Sequence, residues 1–230
     1  MVQIAWLGHS AVHVKGSTVD ILIDPFFTGN PTHPEGYEDG LDKVDVIVIT
    51  HGHEDHIGDS LRLAKKYDAT VVAMFEICMW LGGQGIEKLQ PMNIGGRIET
   101  HGCAFTMVNA LHSSTIIRDG QPITMGDPAG YVVEVDGKVL YHMGDTDIFS
   151  DMALIQRLHQ PSIGFVPIGD RFTMGPRTAA IAVNELLSLD KVVPIHWGTF
   201  DLLSGTPEQF KPLVERSTVL TPAAGELIQV

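Results

Sequence analysis

The chain has 230 residues, of which 44% are hydrophobic and 19% are charged, as in globular rather than disordered proteins. Its formal net charge of −13, from 15 basic and 28 acidic residues, argues against an interface for long nucleic acid, which needs clustered lysine and arginine. No apolar run is long enough to span a bilayer, and the first residues lack the pattern of a secretory signal, so we expect a cytoplasmic protein without membrane contacts.

This length fits one domain over residues 1–230. Cys78 and Cys103 lack the spacing of a thiolate metal site, so we expect two buried, reduced thiols. Nothing in the composition excludes a homo-oligomer.

The first half of the chain begins with three alternating segments, VQIAWL, AVHVK and TVDILID, which predict an antiparallel meander. A loop rich in glycine and proline follows over residues 25–40 and is long enough to border a pocket. The β-branched run DVIVIT, residues 45–50, predicts a buried strand that ends where the sequence HGHEDH begins. A helix is predicted from Leu61 to Tyr67, followed by a second strand and helix in ATVVAMF and EICMWL.

The second half is richer in predicted strands, which lie near RIET, AFTMVNAL, GYVVEV and KVLYHM, with a hairpin turn at Asp136 and Gly137. Helices are predicted from Phe149 to Leu158, from Pro176 through Leu187 and from Pro207 to about Arg216. Strands SIGFVPI, KVVPIH and ELIQV lie between or after these helices. This order predicts an α/β fold with two mixed β-sheets and helices on the outer faces, a four-layer α/β/β/α sandwich.

The run HGHEDH carries the strongest chemical signal in the chain. His51 and His53 are two residues apart in a segment predicted to be extended, so both rings can project to one side. Asp55 and His56 follow a bend and can address a second point, so the spacing suits two metal ions rather than one. Imidazole and carboxylate ligands favour zinc or a similar first-row ion. The alternative is a solvated, charged loop; in either case we interpret Glu54 as a surface residue.

Two metal sites need more ligands than this run supplies, so further histidine or aspartate residues are expected where later strands end. His112 follows AFTMVNAL, Asp145 follows KVLYHMG and His196 follows KVVPI. Strand ends are where α/β proteins usually assemble their sites. Taken singly, each histidine could be an ordinary buried side chain, but their order along the chain favours metal ligation.

Together with WLGHS, LIDPFF, GDTD and PIHWGTF, these motifs resemble the metallo-β-lactamase superfamily over almost the whole chain. The closest resemblance is to its compact branch, which includes the L-ascorbate-6-phosphate lactonase-like proteins. The resemblance implies two divalent metal ions per chain, zinc before manganese, nickel or iron. It assigns His51, His53 and His112 to one metal and Asp55, His56 and His196 to the other, with Asp145 bridging the two.

The implied function is hydrolysis of a small ester, lactone or phosphorylated metabolite by a hydroxide that bridges the two metals. In this mechanism Asp55 is a ligand and also the proton shuttle to the leaving group. The first alternative is a phosphodiesterase or nuclease acting on a phosphodiester such as a cyclic nucleotide. The second is a metal-dependent sensor without catalysis, which the complete ligand set disfavours. We expect a small-molecule substrate, for which an anionic group suits a site with two bound cations.

Two further candidate site residues each have a structural alternative. His9 in WLGHS lies at a turn that could approach the metals, where it contacts substrate or a ligand, or else it caps the turn. Arg171 follows Asp170 at the end of SIGFVPI and is suited to bind a carboxylate or phosphate, with residues 173–175 shaping the pocket. The alternative for Arg171 is a surface ion pair.

The roles of a few other residues are expected to be indirect. Asp24 in LIDPFF either orients a ligand or starts a turn. His142 lies inside a predicted strand, where core packing or a supporting hydrogen bond is expected rather than metal ligation. Met74, Met79 and Trp80 are expected in the core.

Overall fold

The computed structural model describes all 230 residues and contains two large mixed β-sheets with helices beside them, as the sequence predicts. The first sheet has seven strands in the order β16-β1-β2-β3-β4-β5-β6. Its strands are β1 (Gln3–Trp6), β2 (Val12–Lys15), β3 (Asp20–Ile23), β4 (Val46–Ile49), β5 (Thr70–Met74), β6 (Leu89–Met92) and β16 (Ile228–Gln229). The first three pair antiparallel, which confirms the predicted meander, and β3 to β6 run parallel.

The second sheet also has seven strands, in the order β15-β14-β13-β12-β11-β8-β7. Its strands are β7 (Arg97–Thr100), β8 (Cys103–Asn109), β11 (Ala129–Val135), β12 (Lys138–His142), β13 (Ile163–Pro167), β14 (Lys191–Ile195) and β15 (Thr218–Val219). A separate hairpin, formed by β9 (Thr115–Arg118) and β10 (Gln121–Thr124), stands between β8 and β11 in the chain.

Helices cover the outer faces of both sheets. On the first sheet lie α1 (Glu54–Ile57), α2 (Ser60–Tyr67) and α3 (Phe75–Gly83), and on the second lie α4 (Met152–His159), α5 (Pro176–Ile181) and α6 (Pro207–Phe210). None of these helices has the length and apolar character needed to cross a bilayer.

The alternation of side chains along the second sheet separates the two hydrophobic cores. In β11, Tyr131 and Val133 point into the core shared with the first sheet, whereas Val132 packs in the core under α4 and α5. The same period of two places Phe165 on the inner face and Val166 on the outer face. The central strands β11 and β13 therefore fill two apolar layers, as expected for a sheet buried on both sides.

Strand direction brings the candidate ligands to one edge of the sandwich. Strands β12, β13 and β14 run parallel, and β8 has the same direction because β11 is antiparallel to both β8 and β12. The carboxyl ends of β8, β12 and β14 therefore lie together. His112, Asp145 and His196 follow these ends in the loops beyond them.

Several element boundaries differ from the prediction. The helix predicted through Leu187 is α-helical only to Ile181 and continues as a π-helical turn over Ala182–Leu186. The helix predicted to about Arg216 ends at Phe210 in a short 3-10 turn that contains Pro212, which lacks the amide hydrogen for another α-helical bond. The terminal strand is shorter than ELIQV.

The expected thiols and core residues are mostly where the sequence places them. Cys78 and Cys103 are free and buried, and burial raises their pKa to about 12 and about 11, which makes both unreactive at neutral pH. Met74 is buried as expected. The expectation for Met79 is wrong, because it lies on the outward side of α3 and is 49% exposed.

Candidate metal centre

The run HGHEDH changes from extended to helical backbone within six residues, and this change separates its side chains. His51 lies two residues after the end of β4, and His53 still has extended dihedral angles, φ −66° and ψ 149°, at the start of α1. Asp55 and His56 belong to the single turn of α1. The two pairs can therefore address different points, as the sequence predicts.

His51, His53 and His112 form one candidate ligand group. The ligand nitrogens of these three histidines all lie within 4.8 Å of one another. His51 Nε2 and His53 Nδ1 are 2.9 Å apart, and the ring of His112 is 5.1 Å from both rings. Three imidazoles from two segments thus converge on one point, which is the number of protein ligands in many catalytic zinc sites.

A second group contains Asp55, His56 and His196, together with His9. One ligand atom from each of these residues lies within 4.8 Å of the others. His56, His196 and His9 are buried, whereas Asp55 has a side chain that is 30% exposed. The second group is therefore reached from solvent on the Asp55 side.

Asp145 lies between the two groups. Its Oδ2 atom is 2.9 Å from Nε2 of His196, 3.4 Å from Nε2 of His56 and 3.5 Å from Nε2 of His112. The carboxylate is almost fully buried. One oxygen therefore faces imidazoles from both groups, the arrangement that the resemblance predicts for a bridging ligand.

The buried polar atoms of this cluster fit bound cations. His56 Nε2 and Asp145 Oδ1 are buried and have no hydrogen-bond partner in the protein. An unpaired polar atom in the interior costs free energy, so such atoms usually have a ligand, ion or water to contact. Burial lowers the pKa of His51, His53 and His112, which leaves these rings neutral at pH 7 and able to donate a lone pair to a metal.

The carboxylates around His56 indicate the same need for positive charge. Burial lowers its pKa, but the carboxylates of Asp145, Asp24 and Asp55 outweigh that effect, so the pKa is raised well above the usual value. A buried site with this much negative charge requires a cation, which a proton or a metal ion can supply. The donor set of imidazole nitrogen and carboxylate oxygen is the one that first-row divalent metals prefer.

Asp24 fixes the orientation of both candidate groups. Its Oδ1 accepts a hydrogen bond from the backbone N–H of Thr50, and its Oδ2 accepts one from the Thr50 hydroxyl and faces His56 Nδ1 at 2.8 Å. Because the Thr50 hydroxyl donates to Asp24, its oxygen accepts from His51 Nδ1, 3.0 Å away. Both histidines are thereby held as the tautomer that leaves Nε2 free for a metal.

His9 supports the second group through Asp55. Its Nε2 lies 3.0 Å from Asp55 Oδ2, and its Nδ1 lies 2.9 Å from the Thr199 hydroxyl. Burial and the neighbouring His196 lower the pKa of His9 to about 4. A neutral ring can donate from Nε2 to Asp55 while Nδ1 accepts from Thr199, so all three side chains are satisfied.

Backbone strain marks the same region independently of the motif. The non-glycine residues with positive φ fall into two sets. One set occupies hairpin turns and helix ends, where this conformation is common: Asp68, His101, Asp119, Asp136 and Gln160. The other set lies in the loops around the candidate ligands: His9, Asp24, Asp170, Arg171 and His196. Strained residues of this kind cluster at functional sites. The other four residues of the second set are aspartate or histidine, which tolerate positive φ better than arginine does, so Arg171, with a φ of 56°, is the most unusual of them.

Arg171 lies outside both ligand groups. It is exposed on the loop after β13 and makes no ion pair. The structure therefore does not contain the surface ion pair that was the alternative role for Arg171. Asp170 instead accepts a hydrogen bond from the Arg171 backbone. The residue borders a cavity of about 360 Å³, while the largest cavity, about 780 Å³, lies at the opposite edge of the second sheet and includes none of the candidate ligands.

Several supporting residues carry no signal in the sequence. Thr199, the partner of His9, and Ser114, which accepts a hydrogen bond from the Gly52 backbone, are ordinary loop hydroxyls. His142 is buried in β12, where its Nε2 contacts the Ser10 carbonyl and its Nδ1 accepts from the Gly144 backbone. It thus makes supporting hydrogen bonds, as expected. Glu54 is exposed but pairs with Arg118 of the β9–β10 hairpin.

Comparison with known proteins identifies the family of the chain. The family model described as the beta-lactamase superfamily domain matches residues 20–197. A UPF0173 metal-dependent hydrolase from Sinorhizobium medicae is 48% identical over 231 residues, covering 98% of this chain and 99% of the relative.

Solved structures show the same architecture. Igni18, a metallo hydrolase from the archaeon Ignicoccus hospitalis, has a TM-score of 0.86 and 34% identity over 99% of this chain and 97% of its own. An isothiocyanate hydrolase from Delia radicum gut bacteria, 19% identical over 99% of this chain and 98% of its own, has a TM-score of 0.78 and shows the fold alone. The chain therefore belongs to the metallo-β-lactamase superfamily and is a metal-dependent hydrolase.

Proposed function

We propose that this hydrolase holds two divalent metal ions, with zinc as the first choice and manganese, nickel or iron as alternatives, and that it cleaves a small ester, lactone or phosphorylated metabolite. His51, His53 and His112 hold one ion, and Asp55, His56 and His196 hold the other. Asp145 is the shared ligand. We further propose that it acts in the cytoplasm.

The observation that carries this proposal is the position of Asp145 Oδ2. This oxygen lies within 3.5 Å of imidazole nitrogens from both groups, namely those of His112 on one side and of His56 and His196 on the other. A mononuclear site would not need a buried carboxylate between two sets of histidines. The unpaired Oδ1 of the same carboxylate supports a second cation contact.

Two divalent ions held by these residues would supply a water molecule of lowered pKa and would stabilise the negative charge that develops on a carbonyl or phosphoryl oxygen. The protein holds the charged centre away from bulk water on one side, where His51, His56 and Asp145 are buried. It opens the centre on the other side, where His53, Asp55 and His112 are partly exposed. A substrate therefore approaches over these three side chains.

Asp55 is the carboxylate best placed to move a proton. Its side chain is 30% exposed, whereas that of Asp145 is 2% exposed, so Asp55 alone of the two can reach a leaving group. We propose that Asp55 is the proton shuttle. His9 has no exposed surface and both of its ring nitrogens are hydrogen bonded, so we propose that His9 positions Asp55 rather than contacting substrate.

Metal analysis of the purified protein tests the dinuclear centre. We expect close to two equivalents of zinc per chain, and removal of the metals should lower the melting temperature because ions that bind the folded state stabilise it. Asp145→Asn should lose metal from both positions, while His159→Ala, which alters a histidine on α4 outside the site, should keep the full content. Fewer than one equivalent after metal supplementation would refute the dinuclear assignment.

A substrate panel tests the chemistry. Lactones and p-nitrophenyl esters report carbonyl chemistry, and bis-p-nitrophenyl phosphate reports phosphodiester cleavage, each assayed with zinc, manganese and nickel. We expect turnover of the carbonyl substrates. Turnover of the phosphodiester alone would replace this proposal with a phosphodiesterase, and turnover of neither would favour the sensor.

The positioning role of His9 has its own test, which uses the side chain behind it. Thr199→Val removes the hydroxyl that bonds to His9 Nδ1, and Thr199→Ser keeps it. We expect the valine variant to bind the second metal more weakly and the serine variant to restore the affinity. Equal affinities in the two variants would exclude this role.

A further inference from the structure

A cavity of about 360 Å³ opens beside the candidate metal centre, between the loops that follow β8, β12 and β13. Leu111 in its wall precedes His112, and Asp147 lies two residues after Asp145. The third wall comes from the loop after β13, which contributes Arg171, Phe172 and Met174. The cavity is therefore formed by the same loops that carry two of the candidate ligands.

Thr146 joins these three loops into one unit. Its side-chain oxygen accepts a hydrogen bond from the Leu111 backbone, and its carbonyl accepts one from the Met174 backbone. Thr146 has no exposed surface and directly follows Asp145. The walls of the cavity are thus fixed relative to the candidate bridging carboxylate, which suits a pocket that positions a substrate.

The charge of Arg171 is not paired with a carboxylate of the protein. Arg62 and Arg118, the other arginines on segments next to the candidate ligands, are both engaged: Arg62 by Glu38 and Asp59, and Arg118 by Glu54. No carboxylate pairs with the Arg171 guanidinium, although the chain carries a net charge of −13. A free guanidinium in such an acidic protein is available to an anion from solution.

The two acidic residues of the cavity, Asp147 and Asp170, form no ion pair with this arginine. They keep their negative charge and accept hydrogen bonds from the loops themselves. Asp170 accepts hydrogen bonds from the Arg171 backbone N–H and from the Ser204 hydroxyl, at 2.8 Å and 3.3 Å. Asp147 accepts one from the Ile148 backbone at 2.8 Å.

Beside the arginine, the cavity has apolar walls. Leu111 is 47% exposed and Phe172 is 48% exposed, and both line the cavity. The Arg171 guanidinium lies 5.7 Å from the centre of the Phe172 ring. An alkyl or aryl segment can cover these side chains while a charged group reaches the guanidinium.

We propose that this cavity selects substrates with an anionic group, a carboxylate or a phosphate, which binds Arg171, joined to the scissile bond by an apolar segment that packs on Leu111 and Phe172. Both anions present paired oxygens that a guanidinium binds through two N–H donors. The inference rests on the proposed function, because it places the scissile bond at the metal centre. Arg171 is then a specificity residue, and the strained backbone at φ 56° holds it at the cavity wall.

Three p-nitrophenyl esters with the same acyl chain length test this selection in the zinc-loaded enzyme. The adipate monoester ends in a carboxylate, its methyl-capped form is neutral, and the 6-phosphonooxyhexanoate ester ends in a phosphate. We expect Arg171→Gln to lower the ratio of kcat/KM between charged and neutral esters about two- to fivefold, the size expected for an exposed charge pair. Arg171→Lys should retain part of the preference.

Arg177→Gln is the matched control. It removes the same charge from the exposed surface of α5, in a separate depression next to Ile181 and Asn184. We expect it to leave the ratio unchanged. A ratio that does not change in Arg171→Gln, or that falls equally in Arg177→Gln, overturns the proposal. A fall for only one charged ester identifies which anion the site takes.

Calorimetric titration with adipate and with hexyl phosphate separates this inference from the proposed function. Weaker binding of either anion to Arg171→Gln than to the wild type supports the anion site even if no ester is cleaved, and the proposed reaction then fails alone. Cleavage of the esters without any dependence on Arg171 leaves the reaction standing and removes the anion site. Absence of both binding and cleavage refutes both.

Discussion

Replacing Asp24 with asparagine changes one atom of the carboxylate and should weaken both metal positions. In the wild type, Asp24 Oδ2 accepts from the Thr50 hydroxyl and from His56 Nδ1, and the Thr50 oxygen in turn accepts from His51 Nδ1. An amide NH₂ in the place of Oδ2 donates instead of accepting. The Thr50 hydroxyl then turns toward His51, and both histidines are driven to the tautomer with hydrogen on Nε2, which cannot bind a metal.

The opposite orientation of the amide is also unfavourable. In this orientation the amide oxygen accepts from His56 and from the Thr50 hydroxyl, but the NH₂ faces the Thr50 backbone N–H. In the wild type, that N–H donates to Asp24 Oδ1 at 2.8 Å. A buried donor left without an acceptor costs about 1–3 kcal/mol. Either orientation therefore reduces metal binding, and loss of such an outer hydrogen bond typically lowers metal affinity about 10- to 100-fold, or about 1.4–2.7 kcal/mol.

Competition with a chromophoric zinc chelator measures both affinities in the purified variant. Asp20→Asn provides the matched control, since Asp20 lies in β3 at its other end and faces His13 rather than the candidate ligands. We expect the control to bind zinc like the wild type. Wild-type affinity at both positions in Asp24→Asn would refute the role assigned to this carboxylate, and a loss at the His56 position alone would refute the part transmitted through Thr50.

Two further predictions concern the segments around the site. Gly52→Ala should lower zinc affinity, because the added Cβ would lie 2.5 Å from Met125 Cβ and would displace the neighbouring His51 and His53. Gly83→Ala is the control and should leave the affinity unchanged, because its added Cβ would have no atom within 4 Å. Glu38 has a pKa lowered to about 2, chiefly by its hydrogen bonds to Arg62, so its contribution to stability is present above the ordinary pKa of 4.5 and is lost as the pH falls toward 2. Urea denaturation should therefore show that Glu38→Gln removes about 1 kcal/mol or less at pH 7 and a smaller amount at pH 2, where the carboxylate is partly protonated. Equal effects at both pH values would contradict the assignment.

The parts of the fold that follow from sequence are those where burial dominates. DVIVIT and GYVVEV lie in β4 and β11, because continuous or alternating apolar runs have one way to be buried in a layered fold. The β9–β10 hairpin could not be found in this way, since every residue from Gln121 to Thr124 is exposed. The hairpin contacts the rest of the protein through a single buried side chain of β9, Ile116, and through the exposed pair of Glu54 and Arg118, and no periodicity reveals these contacts.

The convergence of the candidate ligands could be predicted because metal sites combine a short spacing with strand ends. His51 to His56 form a compact run, and the remaining ligands each follow a strand whose direction brings it to the same edge. The supporting hydrogen bonds could not be predicted, because Thr199 and His9 are 190 residues apart and a threonine in a loop has many other uses. Their proximity depends on how the two sheets pack.

Asp24 shows why such ambiguities are resolved only by pairing of strands. In the sequence, an aspartate before proline either starts a turn or orients a ligand, and the structure combines both roles: its carbonyl accepts from the Phe26 backbone while its side chain reaches Thr50 and His56. The parallel register that pairs Ile23 with Val48 places the residues after β3 beside those after β4. A turn residue at the end of one strand thus becomes the support for ligands at the end of the next, and a shift of that register would separate Asp24 from Thr50 and leave His51 and His56 without a fixed tautomer.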